Sequence, residues 1–149
     1  MFLLLSLSTQ GWAVETEEYK AKAIKSLDAL VVEHKKLVAE HLSLTAAEAQ
    51  EFWPIYESYR RELQVLNEER IAYMGDLADK YGAMDDELSL KFIEHFTKIE
   101  KGQEAVWERY IPRFIQAIGA RKTARFFQIE RRIRIYVDAE LSRAVPLLK

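Results

Sequence analysis

Three histidines, His34, His41 and His95, are the first residues whose chemistry needs testing. His34 and His41 stand seven positions apart. On a helix they would share a face but sit two turns, roughly 10 Å, from each other. One ion held about 2.1 Å from each ring nitrogen cannot bridge that gap within a single chain. The helical ligand spacings HxxxH and ExxH are absent. Each histidine follows a glutamate (Glu33, Glu40, Glu94), yet adjacent side chains diverge on a helix. The histidines therefore read as surface residues, and a metal shared across a dimer is the one arrangement left open.

Catalytic constellations are no better supported. The chain has no GxSxG, no glycine-rich phosphate cradle and no cysteine. Its carboxylates fall on helix faces that read as solvated. The expectation is a protein that is not an enzyme and takes no cofactor. The stretch from Arg121 to Arg134 is different, because Arg121, Lys122, Arg125, Arg131, Arg132 and Arg134 bracket Phe126 and Phe127. A nucleic-acid patch would look like this. However, 22 basic against 24 acidic residues leave a net charge of −2, which gives little attraction to phosphate. Capture of polypeptides suits the pattern better. Arg121, Arg125, Arg132 and Arg134 would attract at range, and Phe126 and Phe127 would bury apolar surface.

These residues need helices to position them. With 49% hydrophobic residues, 5 Gly and 3 Pro, the chain has core material for one domain but few of the turn residues that many short strands require. The spacing predicts an all-α fold of four helices. Thr45 and Glu48 form a capping box at the start of the second helix. Phe52, Tyr56, Tyr59, Leu63, Leu66, Tyr73 and Leu77 then mark one apolar seam, interrupted by Arg70. Pro54 should bend this helix without breaking it, and Trp53 lies about 100° from the Phe52 face and needs separate cover. Gly82 suits a left-handed helix end, and Asp85 can cap a third helix with the seam Leu88, Phe92, Phe96, Ile99, Val106, Tyr110 and Phe114. Helices two and three should thus form a long antiparallel hairpin. Pro112 should bend the third helix again, and Gly119 should end or kink it. A fourth helix, 121–144, would place Phe126, Ile129, Ile133, Val137 and Leu141 inward. A first helix from residue 23 to His41 carries Ile24, Leu27, Leu30, Val31, Val38 and Leu42, with a weak seam around His34. The four segments either close into one bundle or leave the hairpin to pair with a second chain.

Residues 1–13 read as an export signal truncated at its start. Phe2 to Leu7 is a short apolar run, and Gly11-Trp12-Ala13 offers small residues at a cleavage site, although a basic leader region is missing. The run is too short to span a membrane, which takes about 20 apolar residues. Residues 14–149 would be the mature single domain, placed in the periplasm and free of disulfides.

Leu44-Thr45-Ala46-Ala47-Glu48-Ala49-Gln50 resembles the Leu-Thr-x-x-Gln motif of the Spy/CpxP superfamily of exported helical proteins, although Glu48 stands where the motif has glutamine and Gln50 arrives two places late. Glu51-Phe52-Trp53-Pro54-Ile55-Tyr56 and Ala124-Arg125-Phe126-Phe127-Gln128-Ile129-Glu130 look like segments of an uncharacterised bacterial branch of that superfamily. The resemblance implies long bent hairpins paired into a cradle-shaped homodimer. It also implies an ATP-independent periplasmic chaperone or envelope-stress adaptor that binds unfolded or partner polypeptides. Phe52 and Trp53 would brace the hairpin or line its concave face. The alternative within the superfamily is a metal-responsive regulator of a sigma-factor or two-component pathway, whose ligand histidines have no clear counterparts here.

Overall fold

The structure, a computed structural model, describes residues 33–78, 80 and 83–144. The expected signal (1–13), the upstream part of the first helix, Gly82 and the tail after residue 144 lie outside the described residues. The chain is all-helical, with no strand among the described residues. Helix α1 is described over 33–42, α2 is Ala46–Ala78 and α3 is Asp86–Ala144.

Local chemistry sets the helix starts. The Thr45 amide donates to Glu48 Oε2 at 2.8 Å, and the Glu48 amide donates to Thr45 Oγ1 at 3.3 Å, so the capping box is made on both sides. At α3 the Leu88 amide donates to Asp85 Oδ1 at 2.8 Å. Both helices run on through their prolines, Pro54 and Pro112, which face solvent. A proline on that side spares the core-facing hydrogen bonds. The Ser58 hydroxyl donates to the Pro54 carbonyl at 3.0 Å.

α2 and the first arm of α3 (86–118) pair antiparallel, as expected. Tyr59 meets Tyr110 and Trp107, Asn67 accepts from Gln103 Nε2, and Tyr73 stacks on His95 with ring centroids 3.8 Å apart. The segment anticipated as a fourth helix is the second arm of α3 (120–144), and it folds back onto the first. Trp107 and Phe127 stack with centroids 4.2 Å apart, and Arg134 Nη2 lies 2.7 Å from Glu100 Oε2. In a straight helix, residues 107 and 127 would be about 30 Å apart. The reversal occurs at Gly119, whose φ of 74° and ψ of 160° are non-helical. α1 closes on α2 through Lys35 and Glu57, and on the second arm through His34 and Glu130.

The core sits where these elements meet. Val38, Leu42, Phe52, Tyr56, Tyr59, Val106, Tyr110, Phe114, Ile118 and Phe126 are buried together, with Leu63, Leu66 and Ile129 packed against them. Along the described part of the hairpin, α1 and the second arm of α3 thus supply cover from the same chain. Trp53 obtains its separate cover from α1, with the Lys35 ammonium 5.2 Å from its ring centroid. Phe96, expected inside, is 51% exposed, because it points into the groove described below and not toward α2.

Gly119 has open space where a side chain would stand, with nothing within 4 Å of an added Cβ. Gly119→Ala therefore meets no clash and suffers only the backbone conformation. That region of φ and ψ admits essentially glycine alone and costs other residues about 1–3 kcal/mol. Urea denaturation should show a loss of this size, and an unchanged midpoint would contradict it.

Candidate functional site

Three features of the assembled helices can carry function. The first is a buried polar cluster at the junction of α1, α2 and the second arm of α3. His34 Nε2 bonds Glu130 Oε1, and the Tyr59 hydroxyl donates to Glu130 Oε2 at 2.9 Å. His34 is 3% exposed and Glu130 7%. Arg60 Nη1 stands 3.9 Å from Glu130 Oε2. His34 is therefore not the surface residue that the sequence suggested. It occupies an inward position of α1 with Val38 and Leu42, and the apparently weak seam is continued by an imidazole whose polar edge Glu130 satisfies. His41 is exposed and His95 lies under Tyr73, so the three rings do not converge. No group of three or more metal-ligating side chains gathers among the described residues.

The second feature is a groove of about 1230 Å³ between α2 and the two arms of α3. Leu63, Phe96, Trp107, Phe127, Ile133 and Val137 give it an apolar floor. Arg70, held 3.1 Å from Asp138, and Arg134, which bridges Glu100 and Asp138, cross-brace its walls. Two buried polar atoms in those walls, Arg70 Nε and Gln103 Oε1, have no hydrogen-bond partner among the described residues.

The third feature is the outer face of the second arm. Arg121, Arg125 and Arg132 are exposed there, and with His41, Ala124, Gln128 and Ile129 they line a shallow cavity of about 410 Å³, with no carboxylate among its described lining residues. At 100° per residue, Arg121, Arg125, Gln128, Arg132, Ile135 and Tyr136 fall within one arc of about 100°. Ile135 and Tyr136, each 59% exposed, add apolar surface to this arc, and Ile135 also borders the groove. Both were missed in the sequence, although the same helical spacing places them.

The other expected binding residues are placed differently. Phe126 is 0% exposed and touches Phe52, Tyr56, Tyr59, Trp107 and Phe114, so it serves the core. Phe127 is half-buried against Trp107, and Arg134 is engaged by Glu100 and Asp138. Among the motif residues, Phe52 is buried in the core and Leu44 packs on it, while Gln50 and Pro54 are exposed. Glu48 closes the cap and also binds Lys122 of α3, which in turn reaches the Ser43 carbonyl.

Several carboxyls are held below their ordinary value of 4.5. Lys122 and the Thr45 cap do this to Glu48, Tyr110 and Arg109 to Glu62, and Lys98 to Glu69. In each case the folded state binds a proton less readily than the unfolded state. The stability these groups contribute is present above about pH 4.5 and is lost as pH falls through the lowered values. Tyr59 and Tyr110 shift the other way, since burial and then a neighbouring glutamate raise both phenols above 10.0. Their contribution is full below 10 and declines as the solution becomes more alkaline. Thermal unfolding followed across pH should give a plateau between these limits, falling on both sides. A melting temperature that keeps rising below pH 4 would contradict the assignment.

Comparison of the chain with protein-family models, with curated proteins and with solved structures finds no match. The functional reading therefore rests on the geometry and on the resemblance of the short motifs.

Proposed function

We propose that this protein is a non-enzymatic helical protein of the periplasm that binds unfolded or partner polypeptides without ATP. It would act as a chaperone or envelope-stress adaptor of the Spy/CpxP kind, working as a homodimer. The observation that carries this reading is the outer strip of α3, where Arg121, Arg125 and Arg132 line a shallow cavity with no ion-pair partner among the described residues, and exposed Ile135 and Tyr136 fall on the same helical arc. Cationic side chains attract acidic or partly unfolded chains from a distance, and the neighbouring apolar surface holds them without demanding a sequence. No helix among the described residues is long and apolar enough to cross a membrane.

A denatured client diluted with an equimolar amount of this protein should aggregate less than it does alone. Added salt should weaken the effect by screening the arginines. A variant carrying Arg121→Glu, Arg125→Glu and Arg132→Glu should lose most of it. Absence of suppression at every salt concentration would overturn the reading.

A further inference from the structure

We infer that a second copy of this chain docks on the outer face of the first arm of α3, antiparallel, about a two-fold axis that passes between residues 92 and 93. The inference rests on the homodimer of the proposed function and assigns the face that forms it. At 100° per residue, Asp86, Leu90, Ile93, Thr97 and Lys101 fall within one arc of about 80°. All five are exposed, Leu90 by 60% and Ile93 by 58%. Ile99, half a turn around from Leu90, is fully buried, so the arc lies away from the hairpin seam. Leu90 and Ile93 are neighbours on the helix surface, and their apolar area is therefore contiguous. Contiguous apolar surface marks an interaction face.

The charges around this apolar pair select the partner. Glu87, Lys91, Glu94 and Lys98 run along one flank of the arc, all exposed and alternating in sign. Glu87 and Lys98 lie equally far from the midpoint between residues 92 and 93, and so do Lys91 and Glu94. A two-fold antiparallel pairing keeps each flank beside the same flank of the other copy. It therefore sets Glu87 opposite Lys98 and Lys91 opposite Glu94, each pair made twice. Parallel pairing would instead set every one of these residues against its own like charge, which is costly. Asp86 and Lys101 also come together across the axis, since a helical side chain leans toward the N-terminal end of its own helix. The ion pairs of this arm, Lys91–Glu87, Lys98–Glu69, Arg109–Glu62 and Arg134–Glu100, leave Asp86, Glu94 and Lys101 without an ion-pair partner among the described residues. The second copy supplies all three, with Leu90 and Ile93 of both chains interleaved at the centre.

The chain has no cysteine, so a single introduced thiol can meet only its own copy. Ile93 lies beside the axis. Full-length Ile93→Cys should therefore close a disulfide between two chains, which needs Cα atoms within about 7 Å. Val65→Cys, at a similarly exposed position of α2, is the control. The thiols at the axis should close at least about tenfold faster, because docking gives them a high effective concentration. Asp86 and Lys101 are about 22 Å apart along one helix, too far to compensate each other within a chain. Asp86→Lys and Lys101→Asp should each weaken dimerisation about three- to tenfold in sedimentation equilibrium, since each change falls on both ends of a two-fold interface. The double variant should return to the wild-type affinity. A wild type that stays monomeric at every concentration overturns the homodimer and this face together. A dimer in which Ile93→Cys closes no faster than the control, or in which the double variant shows no recovery, overturns this face and leaves the homodimer standing.

Discussion

Glu130→Ala should lower the unfolding free energy by about 2–6 kcal/mol, since two buried groups each lose their hydrogen-bond partner at about 1–3 kcal/mol apiece. Glu130 is the acceptor on which three elements converge, since His34 comes from α1, Tyr59 from α2 and the carboxylate itself from α3. Its removal leaves an imidazole and a phenol, both buried, without their partner. A buried donor in that condition costs about 1–3 kcal/mol. The polar groups serve one another, so removing all of them together should be far milder. A triple variant, His34→Leu, Tyr59→Phe and Glu130→Met, should recover most of the loss, because matched apolar replacement of a buried pair is often neutral. Arg60, 21% exposed, can turn to water once the carboxylate is gone. Urea unfolding of the single and triple variants measures both effects. A triple variant as unstable as the single one would show that the cluster does more than satisfy itself.

Phe126→Ala should cost a comparable 3–5 kcal/mol through the cavity it leaves. The ring is fully buried against five others drawn from both α2 and the first arm of α3. These neighbours are large and mutually braced, so they cannot collapse easily into the space. Phe127→Ala removes a ring that is half-buried and stacked chiefly on Trp107, and should cost clearly less. Since small domains are stable by about 5–15 kcal/mol, the first variant should be partly unfolded near its working temperature and the second should not. Equal losses would place the two phenylalanines in equivalent surroundings, contrary to the structure.

Much of this architecture was legible in the sequence wherever chemistry acts over a few residues. The Thr45–Glu48 box, the Asp85 cap and the inward stripe of α2 depend only on spacing, and each is found as read. Gly119 was legible as a break, but not as a full reversal, because that depends on which surfaces the two arms find. The same limit explains His34. A histidine on an otherwise apolar stripe is ambiguous until the acceptor, 96 positions away in sequence, is brought to it by tertiary packing. Phe126 and Phe127 looked equivalent between their arginines, yet one helical step sends the first into the core and leaves the second at the groove wall.

A single glycine joins the two arms of α3, and the C-terminal quarter of the described chain takes its phase from that one joint. Inserting one residue beside Gly119 would turn the following arm by about 100° about its own axis. Phe126 and Glu130 would leave the interior together, and the arginine strip would swing toward α1. Spacing between the arms is thus a digital variable with one permitted value. Sequence length at this point should tolerate no change, even where substitution is absorbed.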